Sequence, residues 1–375
     1  MNYPLWSAAA CCSTLHYKRF CKRYVSNSPH LKNSVITVKI SAGTNELSGL
    51  YLRQTPDRSG VWGDCQFILN QPVERCDWWV VCHGPSFQQT DSTQCDPEHI
   101  VYISMEPTEV VAGATDNFLN QFSKLVICDR SVSHRDITYA NGLTWWVGMD
   151  VRHENGHHFS PHFSLDYDSL MAMPRPEKQC RISVVCSNNQ SLPGHHKRLA
   201  FLEKLQAHPV SEHIDFFGGG HRPIPDKWDA IAPYKYHLAL ENSVIPDYWS
   251  EKLGDAFLGF AYPIYYGCPN IFDYFPSDSL SIIDIDNFEQ SVALLQDLIR
   301  NDPYEQHVQP VIRARNQVLN QYNIFQMMAD ICDQPPQRHV KCTLIPAHHL
   351  DMVTSWPRRM ARKIVNRLRG IKSEK

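Results

Sequence analysis

No stretch of this 375-residue chain approaches the roughly 18 consecutive apolar residues of a membrane-spanning helix, so no such span is expected. Positive charge is not in surplus either. Lys and Arg number 36 against 39 Asp and Glu, and a formal net charge of -3 excludes a general binder of nucleic-acid phosphates. The thirteen cysteines contain no C-x-x-C pair, which removes the zinc-ribbon and thiol–disulfide motifs. Internal repeats and low-complexity runs are lacking, so solenoids and propellers are excluded. Gly218-Gly219-Gly220 follows an apolar run but does not continue as G-x-G-x-x-G, and a sharp turn is expected there.

What is present is enough apolar material, 43% of residues, to bury two cores, and 375 residues is long for one. Cysteines lie inside apolar runs such as Ile182 to Cys186, where a reduced thiol acts as a small hydrophobe. An odd count of buried thiols points to a reducing compartment, and the expectation is a cytoplasmic protein, peripheral at most to the inner face of a membrane. Charge is uneven along the chain. Seven basic residues and no acidic one lie between Arg358 and Lys372, leaving -10 for the remainder. There Met360, Ile364, Leu368 and Ile371 fall at helical spacing, with Trp356 at the entry and cations on the other faces. A basic amphipathic helix over 356–372 suits contact with an anionic membrane surface, or docking on the protein's own surface. The apolar stretch Leu5 to Cys12 lacks a basic leader and reads as part of an extension rather than a secretory signal.

The regular pattern begins at Val35-Ile36-Thr37-Val38 and continues through Trp78 to Cys82, His99 to Met105, and Lys124 to Cys128, with a helix near Asp116 to Phe122. Continuous β-branched runs alternating with helical segments predict parallel strands buried on both faces. Periodicity fails between Arg152 and Lys178, a His- and Pro-rich stretch read as the domain boundary. A second unit follows, with strands at Arg181 to Cys186, Ile214 to Phe217, Tyr234 to Leu240, Tyr262 to Gly267 and Leu280 to Asp284. Helices are expected over Gly194 to Leu205, from Ser250, over Phe288 to Ile299, and through most of Tyr304 to Cys332. The organisation is therefore an extension (1–33), an α/β domain (34–165), a second α/β domain (178–334) and a tail (335–375).

Polar residues gather at the strand ends of the second unit: Asn188, Arg198, Asn242, Tyr248, Glu251 and Lys252. In an open α/β sheet that is where ligands bind. Arg as a bidentate fork and Lys as a point charge suit a diphosphate, and Glu251 suits ribose hydroxyls. If Ser250 caps a helix, Lys252 lies in its first turn, where the macrodipole disfavours a cation by about 0.3–1 kcal/mol. An anionic ligand would explain a lysine there.

The order Tyr234-Lys235-Tyr236-His237-Leu238-Ala239-Leu240-Glu241-Asn242-Ser243, then Asp247-Tyr248-Trp249-Ser250-Glu251-Lys252-Leu253, then Tyr262-Pro263-Ile264-Tyr265-Tyr266-Gly267-Cys268-Pro269 closely resembles the donor signature of the family 10 glycosyltransferases, the α-1,3/1,4-fucosyltransferases. The resemblance extends to Val185-Cys186-Ser187-Asn188, Arg198, Phe275-Pro276 and Ile283-Asp284, and thus covers Arg181 to about Asp286. In the first half it is local, at Ser104-Met105-Glu106-Pro107. Departures are Leu240 for phenylalanine, Ser250 for threonine and Met105 before the glutamate.

The resemblance implies two Rossmann-like domains facing a cleft, the GT-B architecture. It implies inverting transfer of fucose from GDP-fucose to a glycan hydroxyl, with the nucleotide sugar and the glycan acceptor as partners. Arg198 and Lys252 would bind the diphosphate, Glu251 the ribose, Asn242 and Tyr248 the donor pocket beside Asn188, and Glu106 would be the general base. Another nucleotide sugar, or a non-catalytic glycan-binding protein on the same scaffold, are the alternatives. No cofactor is required, and a divalent cation is left as an alternative, not as the expectation. Asp284-Ile285-Asp286 matches a short D-x-D metal pattern, and His157, His158 and His162 lie close in sequence, but neither set brings a full ligand group. His195-His196 and His348-His349 read as surface histidines.

Overall fold

The computed structural model describes residues 35–43, 48–82, 89–106, 115–154, 158–347 and 349–350, with the side chains of 151–160 excepted. The extension 1–33, Pro107 and the tail helix expected over 356–372 therefore lie outside the described residues.

The first unit contains β1 (Ile36–Ala42), α1 (Ser48–Leu52), β2 (Val61–Trp62), β3 (Cys65–Leu69), β4 (Trp78–Cys82), β5 (Asp91–Cys95), β6 (Ile100–Ile103), α2 (Asp116–Leu119), β7 (Lys124–Ile127) and β8 (Ile137–Tyr139). Seven of its strands form one sheet in the order β2-β3-β1-β4-β6-β7-β8. All neighbours are parallel except β2 against β3. Alternate residues of β4 show why the strands read as unbroken apolar runs. Trp78, Val80 and Cys82 belong to one core with Val38, Ile40 and Phe67, while Trp79 and Val81 enter a second with Tyr102, Phe118 and Leu125. Both faces of the sheet are covered, so neither can alternate with polar residues.

Next come β9 (Met149–Glu154) and β10 (His158–Phe163), an antiparallel pair, and α3 (Tyr167–Ala172). The stretch read as irregular thus holds a hairpin and a short helix. Its pattern fails because the hairpin stands outside both main sheets and does not share their alternation. His162 lies in it opposite Asp150, whereas His157 lies outside the described residues.

The second unit holds β11 (Gln179–Cys186), α4 (Pro193–Ala207), β12 (Ile214–Gly218), α5 (Lys227–Ile231), β13 (Tyr234–Leu240), α6 (Glu251–Leu258), β14 (Tyr262–Tyr266), β15 (Ser281–Ile282), α7 (Phe288–Asn301) and α8 (Tyr304–Asn316). Its five strands run parallel in the order β12-β11-β13-β14-β15. The order reverses between β11 and β13, so this doubly wound sheet opens a crevice beyond their carboxyl ends. The two Rossmann-like units expected of a GT-B chain are both present.

The chain passes between the units at two places that differ from the sequence boundaries. Leu143, Trp145 and Val147, placed in the first domain by the 34–165 boundary, are buried in the second unit's core. Arg53 fastens this crossover, donating to the carbonyls of Val147 (2.7 Å), Leu165 (3.2 Å) and Trp145. Near the other end, α9 (Ile324–Ile331) lies within the span assigned to the second domain, yet Ile324, Phe325 and Met328 are buried in the first unit's core. Beyond it β16 (Val340–Leu344) pairs antiparallel with β5. Helical periodicity shows which face of a helix is apolar, not which core receives it.

Ten cysteines fall among the described residues, all free and all but Cys180 buried. Among the described residues no helix is long and apolar enough to cross a membrane.

Candidate functional site

The carboxyl ends of β11, β12 and β13 come together by close backbone approach. Gly218 has φ +100°, and a Cβ there would lie 2.2 Å from the Cys186 carbonyl oxygen, so only glycine allows β12 to turn against the end of β11. Gly194, in the first turn of α4, faces the loop after β13: a Cβ would stand 1.7 Å from the Asn242 carbonyl oxygen. That contact docks α4 onto the loop and carries Arg198, one turn further along, beneath it.

Arg198 is 3% exposed. One of its terminal nitrogens donates to the Leu240 carbonyl at 3.3 Å and to Asn242 Oδ1, both neutral acceptors. Its Nε has no hydrogen-bond partner, and no ion pair joins its guanidinium among the described residues. Asn188 sits on the exposed loop after β11, where Gly219 of the neighbouring loop approaches it; a Cβ on that glycine would be 2.8 Å from the Asn188 nitrogen.

The helix α6 begins as its sequence predicts. Ser250 is extended and its hydroxyl accepts the Lys252 backbone N–H at 3.3 Å, while Leu253, Ala256, Phe257 and Leu258 are buried. Lys252 Nζ lies 3.2 Å from Glu251 Oε1 and 3.4 Å from Glu241 Oε2. Glu241, at the end of β13 and fully buried, also accepts the Ser250 backbone N–H at 2.8 Å and the Ser250 hydroxyl at 2.8 and 2.9 Å. Two carboxylates thus account for a lysine in the first turn without a ligand, which corrects the inference drawn from the dipole alone. Lys227 of α5 extends the network, 3.5 Å from Glu251 and 3.3 Å from the buried Asp255. Asp255 in turn accepts the Trp146 and Val147 backbone N–H groups of the crossover at 3.0 and 3.3 Å.

Burial opposes ionisation of Glu251, but the charges of Lys252 and Lys227 prevail and hold its carboxyl at about 2. Glu241 moves the other way. Complete burial raises its carboxyl above the usual range despite Lys252 and the Ser250 bonds. Burial works against the Lys252 ammonium, yet Glu251 and Glu241 keep it charged well beyond a free lysine.

Glu106 follows β6 at the carboxyl edge of the first sheet and is only partly buried. Its Oε2 accepts the Tyr248 hydroxyl at 3.1 Å, so the carboxyl edges of the two sheets meet across the cleft. Burial raises the Glu106 carboxyl and the Glu251 charge adds to the rise; Lys252 and the Tyr248 hydroxyl pull it back only in part. Tyr248 is buried, and beside it Trp249 turns into the second core, its ring 5.0 Å from Phe275 and 5.4 Å from Tyr322. Adjacent aromatic residues therefore have opposite tasks, one facing the cleft and one anchoring the loop.

Of the residues selected from sequence, Arg198 and Asn242 touch, Glu251 and Lys252 touch, and Tyr248 reaches Glu106. Asn188 stands at the rim. Glu241, Ser250 and Lys227 were not selected although they hold the rest in place. The signal for Glu241 was a carboxylate directly after a seven-residue strand in which only Lys235 and His237 are not apolar or aromatic. Asp284 accepts the Asp286 backbone N–H at 3.0 Å, and the Asp286 side chain is bound by Lys197. Among the described residues no group of three or more His, Cys, Asp or Glu could hold a metal ion. A surface depression lined by Phe122, His134 and Arg135 lies at the opposite, amino edge of the first sheet, away from these residues.

Residues 175–339 match the family model described as glycosyltransferase family 10 (fucosyltransferase), C-terminal. That match spans the second unit and less than half of the chain. Among curated relatives, the chain is 35% identical over 104 residues to the 4-galactosyl-N-acetylglucosaminide 3-alpha-L-fucosyltransferase FUT6 of Pongo pygmaeus, 26% of this chain and 28% of that protein. It is 34% identical over 97 residues to the 3-galactosyl-N-acetylglucosaminide 4-alpha-L-fucosyltransferase FUT3 of Homo sapiens, 24% of this chain and 26% of that protein. It is 30% identical over 120 residues to the GDP-fucose protein O-fucosyltransferase 3 of Xenopus laevis, 31% of this chain and 21% of that protein. The matches thus span about a quarter of each relative's length. Similar solved structures include an alpha1,3-fucosyltransferase with GDP, at 18% identity, TM-score 0.44, covering 82% of this chain and 97% of that chain. Another is an alpha1,3-fucosyltransferase with GDP-fucose, at 15% identity, TM-score 0.42, covering 81% and 95%.

Proposed function

We propose that the chain is an inverting glycosyltransferase that moves fucose from GDP-fucose to a hydroxyl of a glycan acceptor. One observation carries the reading: Arg198 is a buried cation bound only by neutral acceptors at the point where the second sheet opens. A buried charge without a partner is costly, and a diphosphate in the crevice supplies one. Lys252 stands close enough to feel the Arg198 charge, so the same anion engages both.

In this reading the acceptor oxygen attacks the anomeric carbon from the face opposite the diphosphate. The new carbon–oxygen bond forms as the bond from that carbon to the phosphate oxygen breaks. The acceptor proton passes to Glu106, and GDP leaves with its added negative charge neutralised by Arg198 and Lys252. Glu251, ionised beside Lys252, receives ribose hydroxyls, and Asn242 holds the Arg198 fork towards the phosphates. A resident metal has no step here, the leaving charge being met by the two side chains. The donor hexose rests on the family match, because a diphosphate clamp does not itself read the sugar.

The test is GDP release by the full chain with GDP-fucose, GDP-mannose and a uridine diphosphate sugar, across a panel of glycan and peptide acceptors. GDP-fucose alone is expected to turn over, giving a linkage opposite in configuration to the donor. No turnover with any donor and acceptor overturns the enzyme, GDP-mannose alone overturns fucose, and retained configuration overturns the in-line step.

A further inference from the structure

Asp247 and Tyr248 are neighbours in the loop after β13, and each is held from the first unit. Tyr248 donates to Glu106, and Asp247 Oδ2 accepts from Arg130 at 2.6 Å. Asp247 has φ +66°, a left-handed conformation that costs a non-glycine residue about 1–2 kcal/mol. Second-unit groups stabilise it there: Asp247 Oδ1 accepts from Asn270 Nδ2 at 2.8 Å and from the Tyr274 hydroxyl at 2.9 Å, and its own N–H donates to Asn270 Oδ1 at 2.9 Å. The N–H and Oδ1 of Asp247 are thus held within the second unit, and Oδ2 is given to Arg130. Arg130 follows β7 and is braced on its own side, lying 5.0 Å over the Tyr139 ring of β8. Its side chain is 57% exposed, against 10% for Asp247, and an ion pair so placed contributes at most about 1 kcal/mol to stability. What Arg130 adds is attachment of this turn to the first sheet.

We propose that Arg130 is a positioning residue for the transfer step: by holding Asp247 across the cleft, it keeps the adjacent Tyr248 hydroxyl on Glu106. The inference rests on Glu106 being the base of the reaction proposed above. The two contacts are one peptide apart on the loop and come from the ends of neighbouring parallel strands, β6 and β7, on the opposite side. A slide of one unit past the other that breaks the first contact also separates the second. Approach of the units and alignment of the base thus become one event.

The test uses the full chain with Arg130→Ala, Arg130→Lys and, as a control, Arg313→Ala, whose partner Asp278 lies in the second unit and is itself exposed. Amide hydrogen exchange over 244–250 is expected to quicken in Arg130→Ala and stay unchanged in Arg313→Ala. At saturating GDP-fucose, kcat is expected to fall on the order of 10- to 100-fold in Arg130→Ala, the scale of a displaced catalytic group. GDP affinity by calorimetry should stay within about twofold, and Arg130→Lys should recover part of kcat, because lysine supplies the charge but not the planar stack on Tyr139. Unaltered exchange over 244–250 with normal kcat in Arg130→Ala overturns the proposal while leaving the transferase reading intact. A fall in GDP affinity matching the fall in kcat also overturns it, since that marks a donor-site defect. Quickened exchange in a chain whose wild type turns over no GDP-sugar sinks the transferase reading, and the positioning role with it, while upholding the attachment of the turn by Arg130.

Discussion

On the donor side of the cleft, Glu241, Glu251 and Lys252 come from the end of β13 and the start of α6 and are bound to one another inside a single unit. On the other side Glu106 stands at the end of β6, and its carboxylate takes its hydrogen bond from Tyr248 of the opposite unit. The donor cluster is thus complete whether or not the units close, whereas the geometry of Glu106 depends on their approach. In the proposed reaction the nucleotide binds to the first arrangement alone. Proton removal by Glu106 in that reaction needs both, which would tie the chemical step to closure and leave donor capture independent of it.

The sharpest way to test that contrast is Glu106→Gln. The substitution keeps the shape and the Tyr248 bond but removes the basic oxygen, so kcat should fall by about 10²–10⁴-fold. GDP affinity and the melting temperature should stay close to wild type, because Lys252 draws its stabilisation first from Glu251 and Glu241 and only last from this carboxylate. Parallel loss of GDP binding in titration calorimetry would show that the two sides are not separable. The converse change is Lys252→Ala, for which donor turnover should drop by about 10²–10³-fold through loss of a preorganised cation. It should also cost on the order of 3–5 kcal/mol in denaturant unfolding, since Glu241 is 0% exposed and would be left without its counter-charge. Pairing Lys252→Met with Glu241→Gln removes both charges and should return most of the stability but none of the GDP affinity. If the pair stays as unstable as the single variant, the buried ion pair is not what holds α6 to β13.

The same contrast explains what the sequence could convey. Strand and helix positions in the second unit were legible because each element buries a continuous apolar face in its own core, and the Ser250 cap is a local signal confirmed by the Lys252 N–H bond. The donor residues lie close to turns of one unit, so the order of residue types carries them. Glu241 was missed because its importance depends on a partner eleven positions away meeting it in the dark of the core, where a carboxylate has no periodic signature. Leu143, Trp145 and Val147 were assigned to the wrong core for a related reason: apolar character shows that a residue is buried, not which sheet it meets. The hairpin β9–β10 has only its own partner strand and so no alternation to display. Arg130 left no mark at all, since a lone arginine after a strand becomes meaningful only when Asp247 stands 2.6 Å away.

A milder change probes the contact that joins the two sides. Tyr248→Phe keeps the ring and removes the hydroxyl that donates to Glu106. Burial already raises the Glu106 carboxyl above the ordinary glutamate range, followed by the Glu251 charge, and the Tyr248 hydrogen bond is one of the groups opposing that rise. Without it the charged form is less favoured and the carboxyl rises further. As a base, Glu106 must be ionised, so the rate falls as pH drops through its value, and a higher value moves the acidic limb of kcat/KM towards higher pH. Above that limb the rate should still fall about 10-fold, the lower end of the loss expected of Arg130→Ala, because the carboxylate is intact but no longer aligned by the hydroxyl, and its GDP affinity should be unchanged. A limb that stays in place would mean that Tyr248 and Glu106 are apart in the reacting state. In that case the cleft would close in some register other than the one set by Arg130 and Asp247, and alignment of the base would have to come from the acceptor.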